Sequence, residues 1–253
     1  MLDSLSANMC RAMIVGSKNI QLKIHRKSKG KVVRQSKLWL MPIVLLTLCV
    51  SQLSFAAELW EKGRHYKELP YPVETADPSK IEVLEVFWYG CPHCYEFNNE
   101  YLPKWEEELA DDVSFRLMPA TFPGWEVHAK AFYVAEFLGV HEKMHQFLFD
   151  KIVTEPRKYK EVADFKPLFL EKGIKSEDFE KVLEVGGFRK ISKIDEAIKK
   201  ASDKVKSLRI SGVPALIING KYKVGVRDAG GMQNMLKITN YLVNKERELA
   251  KKK

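Results

Sequence analysis

The stretch Val83-Leu84-Glu85-Val86-Phe87-Trp88-Tyr89-Gly90-Cys91-Pro92-His93-Cys94 changes character at Gly90. Before it, seven residues rich in β-branched and aromatic side chains read as a buried strand. Gly90 permits a tight turn, and Pro92 suits the first position inside a helix, where its missing N–H costs little. The polar and aromatic residues of 95–102 continue that helix. Cys91 and Cys94 therefore fall one helical turn apart at a helix N-terminus, above the end of a strand. Unpaired backbone N–H groups and the positive end of the helix dipole favour a thiolate over a thiol there. The chemistry of the chain is expected at this pair.

Length and charge narrow what that chemistry serves. At 253 residues the chain has room for one large domain or two smaller ones. Its net charge of +9 invites a nucleic-acid reading, but the placement of the charge argues against it. Residues 1–56 hold nine of the 42 Lys and Arg and one acid, Asp3, whereas residues 57–253 hold 33 basic and 32 acidic residues, a net of +1. No nucleic-acid partner is expected. The basic segment reads as a leader: Arg34 and Lys37 precede an apolar stretch over 38–53, and Ser54-Phe55-Ala56 offers small residues at the two positions a signal peptidase reads. Thr47, Ser51 and Gln52 shorten the apolar part below a comfortable membrane span. Cleavage after Ala56 and export are expected. Residues 1–32 are long and basic for the front of such a signal, so a translation start further downstream is expected, with a natural extended leader as the alternative.

Export changes how the cysteines count. Cys10 and Cys49 leave with the leader, so Cys91 and Cys94 remain. A pair in an oxidising compartment is usually a structural staple, but a four-residue ring closes almost no loop and stabilises little. The pair makes better sense as a reactive couple.

In chain order, an edge strand is expected near 65–69, the central strand over 81–89 and a helix over 91–109. Pro103 removes a backbone bond from that helix, predicting a kink or break near Tyr101. Residues 113–118 alternate as a second strand parallel to the first, completing a strand–helix–strand crossover. Residues 124–203 carry no strand signal. Ala131, Phe132, Ala135 and Leu138 share a helical face that Gly139 interrupts, helices follow over 141–153 and 161–172, and Ser176 is expected to cap another. The longest stripe, Phe188, Ile191, Ile194, Ile198, Ala201, Val205 and Leu208, fits one helix face. These faces need partners, and so a helical bundle inserted into an α/β unit is expected. Ser211-Gly212-Val213-Pro214-Ala215 then leads into the short strand Leu216-Ile217-Ile218, Asn219-Gly220 turns a hairpin, and an amphipathic helix over 232–247 ends the chain.

A lone C-x-x-C is shared by metal sites and redox sites. Here Cys91-Pro92-His93-Cys94 follows Val83-Leu84-Glu85-Val86-Phe87, and Gly212-Val213-Pro214-Ala215 opens a late strand. In these motifs the chain resembles the DsbA family of periplasmic thiol:disulfide oxidoreductases, within the thioredoxin superfamily. The resemblance covers most of 58–250, specific at the two ends and looser in the middle. It implies an α/β thioredoxin fold interrupted by an inserted helical domain. The corresponding division is a leader over 1–56, a thioredoxin-like part over 57–123, helices over 124–199 and the second thioredoxin-like part over 200–253. A minimal unit needs about 40–50 residues between its C-x-x-C and its proline, whereas Cys91 and Pro214 are 123 apart. The surplus fits the insertion.

The chemistry of the couple follows from general principles. Cys91, nearer the helix start, is expected to be the thiolate, with His93 adding a charge or a hydrogen bond and Pro92 stiffening the loop. A stabilised thiolate stabilises the reduced form and makes the Cys91–Cys94 disulfide a stronger oxidant. The resemblance implies that Val213–Pro214 is a cis bond across from the disulfide, leaving the Val213 backbone to pair with an extended substrate. It also implies that Glu85 is a buried acid beneath the couple, with a raised pKa, able to take the Cys94 proton. The family often pairs this acid with a lysine on the next strand; Arg116 and Leu117 stand in that region here.

Other readings are weaker. His141-Glu142-Lys143-Met144-His145 matches the H-E-x-x-H signature of zinc proteases, but no third ligand stands at a recognisable spacing, since Leu148 and Lys151 occupy the metzincin positions. Two histidines on a helix surface are expected instead, and no metal or other cofactor. A Cys/His metal module using Cys91, Cys94 and His93 would be short of ligands. A reductase or isomerase of the same fold is the runner-up, although 57–81 leaves no room for the extra N-terminal domain through which such isomerases dimerise. The resemblance further implies a monomer acting on reduced exported proteins and recharged by a quinone-linked membrane reoxidase of the DsbB type.

Overall fold

The computed structural model describes residues 59–155, 158–184 and 191–252. The leader over 1–56 with its cleavage point, Cys10, Cys49, and Phe188 of the long stripe lie outside the described residues. In chain order the strands are β1 (Lys67–Glu68), β2 (Ile81–Phe87), β3 (Val113–Pro119), β4 (Ala215–Ile218) and β5 (Tyr222–Gly225). The α-helices are α1 (Pro92–Glu96), α2 (Leu102–Glu107), α3 (Glu126–Phe137), α4 (His141–Thr154), α5 (Lys166–Glu171), α6 (Ser176–Leu183), α7 (Lys193–Ser207), α8 (Val226–Ala229) and α9 (Met232–Ala250). Among the described residues no helix is long and apolar enough to cross a membrane.

The strands form one sheet in the order β1-β5-β4-β2-β3. β2 and β3 run parallel, Ile81 opposite Val113 and Phe87 opposite Pro119. β4 runs antiparallel to β2, with Val86 opposite Ala215. Beyond Ile81, every β2 side chain is buried, because both faces of the sheet are covered. Val83, Leu216, Ile218 and Val224 pack with Phe97, Leu102 and Trp105 and with Met235, Ile238 and Leu242 of α9. Leu84, Val86, Met118, Ala215 and Ile217 pack with Ala201 and Val205 of α7. Each Val, Leu, Ile, Phe or Met among them contributes about 1.5–3 kcal/mol by leaving water, which is why an interior strand reads as a near-continuous apolar run.

Two turns show the local chemistry behind this frame. Asn219 (φ 49°) and Gly220 (φ 61°) both take left-handed conformations, as the expected hairpin requires. A Cβ on Gly220 would also lie 1.9 Å from the Val73 carbonyl oxygen, so only glycine fits. The break expected near Tyr101 is a π-helical turn, Phe97–Tyr101, between α1 and α2. Pro103, in the first turn of α2, has no N–H to offer the Asn99 carbonyl, so the regular α-helical bond cannot form there.

The core of the helical layer is continuous with the active-site end of the sheet. Phe132, Ala135, Met144, Leu148, Phe149, Phe165, Phe169 and Phe179 close directly on Phe87, Tyr89 and Cys94, and residues 57–253 form one compact unit. α7 joins the layers: Ile194 and Ile198 belong to the helical core, whereas Ala201, Val205 and Leu208 belong to the sheet core. The expected division between 199 and 200 thus falls inside one continuous helix.

Two expectations need correction. Ser176 does not cap α6; Lys175 holds that position and the Ser176 hydroxyl reaches Glu180 Oε1 at 3.4 Å. The long stripe starts later than its spacing predicts. Ser192, extended at ψ 154°, caps α7 by accepting the Asp195 N–H at 3.0 Å, leaving Ile191 outside the helix and 55% exposed. A capping hydroxyl outweighs one more apolar match in setting where a helix begins.

Candidate active site

β2 delivers Trp88, Tyr89 and Gly90 to the start of α1. The Cys91 N–H donates to the Trp88 carbonyl at 2.9 Å, and the Tyr95 N–H to the Cys91 carbonyl at 3.0 Å. Cys91 is the N-cap of α1, with φ −96° and ψ 112°, and Pro92 opens the helix. Its sulfur accepts the Cys94 N–H at 3.3 Å, and its thiol donates to the Val213 carbonyl oxygen at 3.8 Å. Both cysteines are free thiols; Cys91 keeps a small exposed edge and Cys94 keeps none.

This asymmetry separates the two thiols chemically. The Cys94 thiol donating to Cys91 is the main influence bringing the Cys91 pKa down to about 6, assisted by the N–H groups of Cys94 and His93 and, least, by the His93 charge. Burial pushes the Cys94 thiol well above its usual value, and the hydrogen bond to Cys91 adds to that. The His93 imidazole is directed to solvent, with Nδ1 3.9 Å from Glu96 Oε2.

Glu85 lies in mid-β2 between Leu117 and Leu216, 1% exposed. Its Oε1 has no hydrogen-bond partner among the described residues. Burial, then the charges of Glu106 and Cys91, push its pKa up to about 8. Arg116 does not pair with it: its guanidinium reaches Glu82 Oε2 at 3.3 Å, where the Ala76 N–H also donates at 2.9 Å. The Val213–Pro214 peptide bond is cis.

Sequence reasoning missed the surroundings of the couple. Trp88 stacks on Trp125 at 4.2 Å with planes 4° apart, and His128 lies over Trp88 at 5.6 Å. A Cβ on Gly90 would stand 2.4 Å from the Trp88 ring. His145, expected on a helix surface, is instead buried. Its Nδ1 is 3.0 Å from the Tyr89 hydroxyl and its Nε2 3.0 Å from Asn98 Oδ1. The Asn98 oxygen only accepts, so Nε2 carries the proton and Nδ1 accepts from Tyr89. Asn98 Nδ2 donates to Gln146 Oε1 at 2.6 Å, and Gln146 Nε2 to Asp150 Oδ1 at 2.8 Å. Both ring nitrogens of His145 are therefore committed within the protein, and His141, half-buried beside Glu136, is 3.2 Å from its carboxylate. The H-E-x-x-H spacing was the only signal at these positions, and it pointed to other chemistry.

A family model described as Thioredoxin matches residues 76–237. The thiol:disulfide interchange protein DsbA of Azotobacter vinelandii is 40% identical over 186 residues, covering 73% of this chain and 84% of that protein. DsbA of Pseudomonas aeruginosa is 39% identical over 200 residues, covering 78% and 90%. A crystal structure of Pseudomonas aeruginosa DsbA superposes with a TM-score of 0.70 at 37% identity, covering 77% of this chain and 98% of that one. With its paired thiols at the end of an interior strand, the chain belongs to the DsbA family and is a thiol:disulfide oxidoreductase of the thioredoxin fold.

Proposed function

We propose that the protein is a periplasmic oxidant that donates the Cys91–Cys94 disulfide to reduced, newly exported proteins. The observation that carries this reading is the placement of the thiols: Cys91 is the N-cap of α1 and its sulfur accepts from the Cys94 thiol and, at 3.3 Å, from the Cys94 N–H, which holds its pKa down, whereas Cys94 is fully buried, which holds its pKa up. A stabilised Cys91 thiolate favours the reduced form, so the disulfide is a strong oxidant, and it makes Cys91 a good leaving group.

A substrate thiolate attacks Cys91 Sγ, the Cys91–Cys94 bond breaks, and Cys94 leaves with the electron pair. Its high proton affinity draws a proton at once. Glu85, protonated below about pH 8 and close enough for its charge to act on Cys94, supplies that proton and recovers it when the couple is reoxidised. A second substrate thiolate then attacks the substrate sulfur of the mixed disulfide, and Cys91 leaves as the thiolate. The substrate has lost two electrons and the couple has gained them.

His93 and Pro92 shape the loop that tunes Cys91, and the backbone of Val213, bordering the Cys91 sulfur, is where an extended substrate aligns before Pro214. The leader is removed after Ala56, and a membrane reoxidase of the DsbB type, passing electrons to quinone, restores the disulfide. The test is oxidative refolding of a reduced, unfolded protein, with Cys91→Ser as control, beside the reduction potential against glutathione. Disulfide formation at a potential well above the glutathione range is the expected result; a potential near that of thioredoxin would make the protein a reductase instead.

A further inference from the structure

Basic side chains gather where the loop 211–215 meets the edge of the sheet. A recess of about 320 Å³ is lined by that loop together with Lys67, Lys223, Arg227 and Asp228. Lys67 and Lys223 face each other in the β1–β5 register, so two like charges are neighbours on one edge. The Lys223 ammonium donates to the Arg209 carbonyl, and its pKa is lowered by burial and then by the charge of Lys67, with Asp228 opposing the shift and Arg209 adding to it. Asp228, 3.0 Å from Lys67, is the one carboxylate lining the recess among the described residues. Three cations against one carboxylate leave an excess of two, and like charges collected at a partly desolvated site cost stability until a further anion joins them.

The position of the recess gives that excess a use. Val213 forms part of its wall, and the Val213 carbonyl is 3.8 Å from the Cys91 thiol. An extended chain advances about 3.3 Å per residue, so a substrate whose cysteine reaches Cys91 passes the mouth of the recess within a few residues. We propose that this recess is a substrate subsite that selects an acidic side chain near the substrate cysteine, with Lys223 and Arg227 as its specificity-determining residues. Arg227 suits a carboxylate because its fork meets both oxygens. A concave site with two cations in excess of its carboxylate fits a single acidic side chain better than the extended phosphate track of a nucleic acid. The proposal rests on the reading of the protein as an oxidant of exported chains.

The experiment uses the oxidised protein and reduced two-cysteine peptides that differ only in Glu, Gln or Lys close to the reacting cysteine. The Glu peptide is expected to react about two- to fivefold faster than the Lys peptide at low salt, with the ratio falling toward one at about 0.5 M salt. K223Q and R227Q should each reduce the ratio, and the K223E/R227E pair should invert it. Cysteine-free analogues, with Ser for Cys, add a readout independent of redox chemistry: chemical-shift changes at Lys223 and Arg227 on binding the Glu peptide. Equal rates and equal binding for Glu and Lys peptides, or a Glu preference untouched by the substitutions, would overturn the subsite. Glu-selective binding without oxidation of any peptide would uphold the subsite and refute the oxidant reading.

Discussion

The Cys91 thiol donates to the carbonyl oxygen of Val213 at 3.8 Å, across 122 residues of chain. Strand pairing explains the meeting. β2 ends at Phe87 and β4 begins at Ala215, which lies opposite Val86 in an antiparallel ladder. The segment leaving β2 and the segment entering β4 therefore emerge at the same end of the sheet, and the residues flanking them become neighbours. The reactive sulfur and the strip of backbone beside it are placed by two registers rather than by a flexible loop.

The thiolate should be visible directly. In the reduced protein, ultraviolet absorbance should show one thiolate forming with a midpoint near pH 6, absent in Cys91→Ser, with Cys94 ionising far above it. The Cys91 pKa is depressed from 9.0, so its contribution to the stability of the reduced form is fully present above about pH 9 and is lost as pH falls through about 6. The Tm of the reduced protein should therefore gain on that of the oxidised protein between those values. His93→Ser should raise the midpoint only modestly, because the Cys94 thiol and the backbone donors remain; an unchanged midpoint would remove His93 from the tuning.

Glu85 carries the opposite sign. Its pKa is raised from 4.5 to about 8, so the native state holds a proton that the unfolded chain has lost. The stabilisation is complete below about pH 4.5 and disappears as pH rises through about 8. Glu85→Gln should flatten this dependence and make the protein more stable than the parent as pH rises from about 4.5 through 8, by up to about 5 kcal/mol at full ionisation, read as a higher Tm. It should also slow the release of Cys94 in stopped-flow oxidation of a dithiol peptide. Unaltered kinetics would leave the buried acid without a role in proton transfer.

His145→Phe should cost about 2–4 kcal/mol, because it strands the Tyr89 hydroxyl and the Asn98 oxygen in the core. Combining it with Tyr89→Phe should recover part of the loss, since one orphaned group is removed; chemical denaturation of the four proteins in that cycle measures the coupling. His145 and His128 have pKa values brought down by burial to about 3 and about 4. Both are neutral in the native state while the unfolded chain takes up protons below about pH 6.5, so stability should fall from there toward pH 3, less steeply in His145→Phe.

Gly90→Ala should destabilise by about 1–3 kcal/mol through forced movement of the Trp88 ring. Because Trp88 is stacked on Trp125, displacing it should change tryptophan fluorescence and near-ultraviolet circular dichroism in the folded protein. Unchanged spectra would show that the turn relaxes without the indole.

The sequence alone determined much of the architecture through local signals. β-branched and aromatic runs marked β2 and β4, Asn219-Gly220 marked the hairpin, Pro103 marked the break in the active-site helix, and the strand–turn–helix context turned an ambiguous C-x-x-C into a reactive couple. Those signals act within a few residues, through backbone sterics and alternation of burial. Tertiary structure decided what depends on distant partners: that Arg116 serves Glu82 and leaves Glu85 alone, that His145 turns inward to Tyr89 and Asn98, and that Ile191 of the long apolar stripe stays outside the helix that Ser192 caps. It also decided that α7 crosses from one core to the other, and that Lys67, Lys223 and Arg227 share a recess beside Val213. Spacing along the chain specifies which side chains share a face, but burial and hydrogen-bond satisfaction depend on what packs against that face, and that is set only when all the elements are assembled.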